Sequence, residues 1–345
     1  MSSNVASATR VLIDCRWLGA SGVGRATEYL LRGLSELQPS GQWTLWGTSA
    51  VEPYLWPGAR WVRSQFTPQA LFGMREALDL PSHDVALYMH LSRPLVPGRS
   101  VTLIHDTIHL RYRSLARQVS QHLYNWGLAR LATRVLTVSE YSRAAIERDI
   151  GIPAERIGVV HYPVDRELVS RVLDIRARGE RRDCALYVGQ FARHKNLERL
   201  LSAFPRTQFA REGGELMLVG GSGEDAARLR HMAPRGARVT IERKISQTAL
   251  EELYATSRLL VLPSLEEGFG LPAWEALSVG LPVCVANAGA LPETTQGKAR
   301  LFDPYSIDAM ARAIDETAAS EAEPLECKET MVDYANAFID ALARV

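Results

Sequence analysis

No run in this 345-residue chain is apolar over the length a membrane-spanning helix needs. The opening MSSNVASATRVLI lacks the apolar core of a secretion signal, which predicts a cytoplasmic protein. Cysteine is scarce: Cys15, Cys184, Cys284 and Cys327 form no C-x-x-C pair. Three of them sit in apolar strand-like runs, where a thiol behaves as a small hydrophobe, so a zinc site or a disulfide framework is not expected. Neither sign of charge is in excess, with a formal net charge of +1, and no bulk field draws the chain to nucleic acid. No D-x-D occurs and the histidines are scattered, so nothing gathers a catalytic metal. No G-x-G-x-x-G occurs either, which leaves a nicotinamide-binding reading poorly supported. What remains is 46% apolar and 23% charged residues, the profile of a soluble globular protein with a sizeable core. The length allows two domains of ordinary size.

Short Val/Ile/Leu-rich runs alternate with longer amphipathic segments. Strands are predicted at Val11–Asp14, Trp43–Trp46, Trp61–Ser64, Val85–Met89, Val101–His105, Val135–Val138 and Ile157–His161. The pattern breaks over PVDRELVSRVLDIRARGERRD, residues 163–183, which reads as a linker or hinge helix. It restarts with strands at Ala185–Val188, Leu216–Val219, Val239–Glu242, Leu259–Leu262, Val283–Ala286 and Arg300–Phe302. Alternation of this kind predicts βα units and parallel sheets covered on both faces. The expected architecture is α/β, two doubly wound Rossmann-like domains facing a central cleft. Boundaries are expected at 1–165 and 166–325, with 326–345 a C-terminal helix that has the option of packing back on the first domain. Ligands of such sheets bind at the carboxyl ends of the strands.

The stretch SLEEGFGLPAWEALSVGLPV, residues 264–283, follows a strand run and opens a helix at Pro272. Gly268, Phe269, Gly270 and Leu271 therefore fall in a strand-to-helix turn, where backbone N–H groups and the helix dipole favour a diphosphate. Glu267 and Glu275 flank it. Carboxylates accept hydrogen bonds from vicinal hydroxyls and repel phosphate, so they fit partners beside the phosphates: a sugar at Glu267 and a ribose at Glu275. A ligand of hydroxyls, diphosphate and hydroxyls is a nucleotide-sugar. Taken alone, the two acids would more often be a solvated loop residue and a helix acid favoured by the dipole.

Further candidates lie at other strand ends. Arg193 and Lys195, in GQFARHKN, can neutralise a diphosphate and its departing form. Gly22 and Gly24 of SGVGR lie between the first strand and helix as a loop open to close approach, and Arg25 is placed either to reach phosphate or to stand solvated. His105 ends a strand. VGGSG, Gly220–Gly223 with its flanks, follows another strand and can border a base. Leu115–Thr133 mixes aromatics with arginines, as either a core helix with a wet face, the favoured reading, or an interfacial helix.

EGFGLPAWEALSVGLPV closely resembles the E-x7-E motif of retaining glycosyltransferases of family 4, which have the GT-B fold. SGVGR, TLIHDT, TVSEYS, YVGQFARHKNLERLLSAF and ANAGALPE are similar to further motifs of that family, and the resemblance runs over nearly the whole chain. One departure is Gln190, where the family often has an arginine. The resemblance implies a nucleotide-sugar donor, no catalytic metal and no other cofactor. It implies front-face transfer, in which Glu267 orients the sugar, Lys195 and Arg193 stabilise the leaving diphosphate and Glu275 anchors the ribose. It places His105 against the transferred sugar, with its backbone carbonyl near the anomeric carbon. The SGVGR and HKN forms look most like bacterial mannosyltransferases, which implies GDP-mannose. The implied acceptor is a hydroxyl of a saccharide, glycolipid or lipid-linked substrate, with peripheral contact at the inner membrane face left open and no nucleic-acid partner. A nucleotide-sugar epimerase or hydrolase of the same fold, or a two-lobed sugar-binding protein, are the alternatives.

Overall fold

The computed structural model describes residues 9–19, 21–65, 78–91, 93–94, 96–111, 126–325 and 329–345. These residues form two units. One ends at Pro163 and takes back the segment from 329 onward; the other begins at Val164 and runs through residue 325.

The first unit carries β1 (Arg10–Asp14), β2 (Gln42–Gly47), β3 (Ala59–Arg63), β4 (Val85–Tyr88), β5 (Ser100–Leu103), β6 (Arg134–Thr137) and β7 (Ile157–Val159). They make one sheet in the order β3-β2-β1-β4-β5-β6-β7, every pairing parallel. The second unit carries β8 (Cys184–Val188), β9 (Glu215–Val219), β10 (Arg238–Glu242), β11 (Leu259–Leu262), β12 (Val283–Ala286) and β13 (Arg300–Phe302). Its sheet has the order β10-β9-β8-β11-β12-β13, again all parallel. Every predicted strand run is a strand, and both units are doubly wound. The composition explains the order: inner strands such as VALY, LLVL and VCVA are buried at every position, whereas the edge strand ARWVR is half-buried or exposed throughout. Strand order reverses between β1 and β4 in one unit and between β8 and β11 in the other. These are the crevices where an open parallel sheet accepts ligands.

The charged segment after Pro163 is not a free linker. Asp165 caps a helix over Arg166–Arg176, accepting from the N–H groups of Glu167 and Leu168. Leu168 and Val172 are buried. Arg176 donates to the carbonyls of Tyr254, Ala255 and Val279, which ties the helix to the second unit. The C-terminal helix Met331–Ala343 starts with a Thr330–Asp333 capping box and packs on the helix Ser21–Leu37 of the first unit. Gly33 permits the crossing, because a Cβ there would lie 2.0 Å from the Met331 carbonyl oxygen.

Most of the Leu115–Thr133 segment lies outside the described residues. Its described part is helical over residues 126–131, with Leu128 and Ala129 in the first unit's core. Trp126 is exposed beneath the Arg130 guanidinium, 4.2 Å from its ring centroid. Among the described residues, no helix is long and apolar enough to cross a membrane.

Candidate functional site

The second unit's crevice is built from two loops. The chain leaves β8 through Gly189 and makes a short turn at Arg193–Lys195. It then reverses at Asn196, a buried residue in the left-handed region at φ 59°. The Asn196 amide donates to the carbonyls of Pro263, at 3.0 Å, and Pro304, at 2.8 Å, bolting this turn to the loops after β11 and β13. The Leu265 N–H donates to the His194 carbonyl at 2.7 Å. The two loops are thereby held side by side.

The result is a direct contact between residues 72 apart: Lys195 Nζ lies 2.7 Å from Glu267 Oε1. The Ser264 hydroxyl donates to the same oxygen at 2.7 Å. The two side chains are only 14% and 11% exposed, so the pair is shielded yet reachable. Its desolvated charges carry weight that a surface pair would lack. Arg193, beside them, is exposed and has no side-chain hydrogen bond or ion pair among the described residues.

The turn after Glu267 is packed from below. Gly268, Phe269 and Gly270 are buried and Leu271 half-buried. Gly270, at φ 90°, caps the helix Leu271–Ser278, so Pro272 stands in its first turn. Phe269 meets Trp274 edge-on at 5.4 Å. The segment after β12 supports the loop: the Ala290 N–H donates to the Glu267 carbonyl at 3.0 Å, and Thr294 Oγ1 donates to the Phe269 carbonyl at 2.6 Å. Gly289, at φ 61°, brings its backbone so close that a Cβ would sit 2.6 Å from the Glu267 nitrogen. Glu275 is buried on the helix, and its Oε2 accepts from the Tyr254 hydroxyl at 2.9 Å.

The remaining candidates stand in the first unit. His105 comes two residues after β5 and is half-buried. Its Nε2 is 3.1 Å from the Met89 carbonyl and its Nδ1 2.8 Å from the Tyr162 hydroxyl. A carbonyl only accepts, so the proton sits on Nε2, and Nδ1 accepts from Tyr162. Burial lowers the His105 pKa and raises that of Tyr162 well above its usual value, which keeps both groups neutral. The His105 carbonyl accepts from Ser142 Oγ at 3.0 Å. Both ring nitrogens are thus occupied within the unit.

Gly22 and Gly24 depart from expectation: they stand in the first turn of the helix that begins at Ser21, not in a loop before it, and Arg25 follows them near the helix start as expected. Gly24 is small because a Cβ would lie 2.7 Å from the Trp17 carbonyl oxygen, so close packing on its own preceding turn outweighs glycine's poor helix propensity. Arg25 lies 3.4 Å from Glu28, one helical turn on.

Several residues of the two crevices escaped the sequence reading. Asn196, Ser264 and Gly289 fix the acidic loop and Tyr254 holds Glu275 on the helix behind it; the first three lie within the HKN, SLEEGFG and ANAGALPE stretches, but none of the four is assigned a role by the sequence. At the end of β1, Asp14 and Arg16 form a buried ion pair at 2.7 Å. Next to it Trp17 meets His90 at 4.3 Å, and burial pushes the His90 pKa down to about 3. Among the described residues, no group of three or more His, Cys, Asp or Glu is placed to hold a metal ion.

The chain matches two family profiles: one described as Glycosyltransferase Family 4 over residues 20–168, the other as Glycosyl transferases group 1 over residues 173–336. It is 33% identical over 193 residues to O-antigen chain mannosyltransferase B of Escherichia coli, covering 53% of this chain and 51% of that one. It is 25% identical over 264 residues to an O-antigen chain mannosyltransferase of Salmonella typhimurium, covering 74% of this chain and 69% of that one. The match thus spans about half the length of the first relative and about two thirds of the second. Among solved structures, sucrose-phosphate synthase from Thermosynechococcus elongatus superposes with a TM-score of 0.68 at 19% identity, covering 97% of this chain and 94% of that one. At that identity the likeness is one of fold.

Proposed function

We infer that the chain belongs to the glycosyltransferases, since a family 4 profile followed by a group 1 profile together span most of its length. From that premise we propose that it moves a hexose from a nucleoside diphosphate-sugar to a hydroxyl of a saccharide, glycolipid or lipid-linked acceptor, retaining the anomeric configuration. The specific donor in this reading is GDP-mannose, in keeping with two bacterial relatives that are mannosyltransferases by name. The observation that carries it is the Lys195–Glu267 pair at the point where strand order reverses.

Lys195 and the neighbouring Arg193 supply positive charge where a diphosphate leaves, and the helix starting at Leu271 adds its dipole. Glu267, adjacent to Lys195, accepts from hydroxyls of the transferred sugar. Glu275, its carboxylate preset by Tyr254, takes the ribose. In the transfer step the bond from C1 to the diphosphate oxygen breaks. The acceptor oxygen bonds to C1 from the same face and gives its proton to the departing phosphate oxygen. Charge neutralisation rests on side chains and the helix dipole, without a divalent metal. For the first unit we propose acceptor binding. His105 there is a neutral support of the Met89, Ser142 and Tyr162 segments and not a proton carrier. Peripheral membrane contact is part of this reading where the acceptor is lipid-linked.

The test incubates the protein with GDP-mannose and a panel of saccharide and lipid-linked acceptors, with and without EDTA. The expected result is acceptor-dependent GDP release, a product of retained configuration and activity largely intact in EDTA. Equal release without acceptor would mean hydrolysis or epimerisation. Complete loss in EDTA that Mn²⁺ restores would overturn the metal-free part.

A further inference from the structure

The chain enters the second unit after Pro163 and runs through the connecting helix Arg166–Arg176, whose last residue grips two other helices. Arg176 is half-buried, and each of its three side-chain nitrogens donates to a backbone carbonyl. Nε bonds Ala255 at 3.2 Å, Nη1 bonds Val279 at 2.7 Å and Nη2 bonds Tyr254 at 3.2 Å. Tyr254 and Ala255 lie in the last turn of the helix Gln247–Thr256, and Val279 caps the end of the helix Leu271–Ser278. Carbonyls in a final helical turn lack partners within the helix, and the helix dipole favours a cation beside them. The guanidinium fork is planar and rigid, so one side chain holds two helix ends at a fixed separation.

Those two helices carry the residues that meet at the ribose end of the donor site. The Tyr254 hydroxyl, from one helix, donates to Glu275 Oε2, on the other, at 2.9 Å. Arg176 reaches this contact by two routes. It holds the Tyr254 carbonyl directly. It also holds the Val279 carbonyl, and the Val279 N–H donates to the Glu275 carbonyl at 3.2 Å, one helical turn back. Tyr254 is fully buried and Glu275 only 7% exposed, so water does not replace their bond if the helices part. Arg171, earlier on the connecting helix, differs. It pairs with Glu251 at 3.0 Å and so ties the connecting helix to Gln247–Thr256. Among the described residues it has no hydrogen bond or ion pair to the Leu271–Ser278 helix.

We propose that Arg176 is a positioning residue for the ribose of the donor: by joining the ends of the two helices it keeps Tyr254 against Glu275, and so keeps the Glu275 carboxylate aimed at the ribose hydroxyls. The inference rests on the donor-site reading above and adds to it a residue that acts through two others. Titration calorimetry with GDP and with 2′,3′-dideoxy-GDP, which lacks the ribose hydroxyls, tests it. The wild type binds GDP about tenfold or more tightly than the dideoxy form, the scale of hydrogen bonds to a charged group. Arg176→Ala and Tyr254→Phe lose most of that preference by weakening GDP alone. Arg176→Lys, with one nitrogen for three carbonyls, falls between, and Arg171→Ala keeps the wild-type preference. In steady-state kinetics Arg176→Ala raises the KM for GDP-mannose with kcat little changed. If Arg176→Ala does not fold, Arg176→Lys and Tyr254→Phe decide. A wild-type preference in the Arg176 variants, or equal weakening of both nucleotides, makes Arg176 a structural residue only and overturns the inference while the donor site stands. A wild type that binds both nucleotides equally overturns the ribose assignment of Glu275, and one that binds neither overturns the donor-site reading itself.

Discussion

The contact between Lys195 and Glu267 changes what each residue does. From the sequence they have separate tasks, one on phosphate and one on sugar. In the folded chain they touch at 2.7 Å, with Ser264 on the same carboxylate oxygen. No local pattern reveals a pairing across 72 positions, because the sheet order brings the ends of β8 and β11 together. The residue types and strand-end positions were legible; the partnership was not. His105 teaches the converse, since its place after a strand was readable while the saturation of its ring by Met89 and Tyr162 depends on distant segments. The pairing makes a sharp prediction. Lys195→Ala removes a cation from the leaving group and leaves a shielded carboxylate unmatched, costing about 2–4 kcal/mol in kcat/KM. Glu267→Gln should cost a comparable amount, mainly in kcat, because contacts to the reacting sugar strengthen towards the transition state. The double variant should lose less than the sum by about 1 kcal/mol or more, as interacting neighbours do. Steady-state kinetics on the four proteins decide it, and strict additivity would show that the pair does not act as a unit.

Elements were the most legible level. Runs of β-branched and leucine residues specify strands that are buried on both faces, and their alternation with amphipathic segments specifies the parallel winding. Element starts were harder. Glycines at 22 and 24 argue for a loop, yet the helix begins at Ser21, since the close approach of Trp17 demands a glycine inside it. The same kind of constraint gives a test at Gly289. It lies at φ 61°, and an added Cβ would press on the Glu267 nitrogen at 2.6 Å. Gly297 offers a control: it lies at φ 73° with nothing within 4 Å of its Cβ position. Alanine at either site carries the left-handed backbone penalty, about 1–2 kcal/mol of stability. Only Gly289→Ala also displaces the acidic loop. Thermal unfolding and kcat/KM should therefore separate: both variants melt lower, and only Gly289→Ala loses activity, by about tenfold or more. Equal activity in the two variants would mean that this turn does not position Glu267.

The chain as a whole is not two domains in simple succession. It passes into the second unit at Pro163 and gives its last helix back to the first. That helix buries Tyr334, Phe338, Ile339 and Leu342, each at most 5% exposed. Burying one large apolar side chain contributes about 1.5–3 kcal/mol. Four of them contribute about 6–12 kcal/mol, or about 4–11 after discounting for a compact unfolded state, comparable to the 5–15 kcal/mol by which a domain is ordinarily stable. The first unit should therefore depend on residues almost 170 positions beyond its main segment, while the second unit, continuous from Val164, should not. A chain ending at Thr330 should lose the cooperative unfolding of the first unit in calorimetry and lose sugar transfer with it. It should keep a second transition that GDP shifts upward, because a ligand that binds only the folded form stabilises it by mass action. Tyr334→Ala is the milder version, expected to lower the first unit's transition without abolishing it. A truncated chain whose two transitions match those of the full protein would show that the returning helix is an appendage, and the first unit would then have to hold its fold through its sheet and the Ser21–Leu37 helix alone.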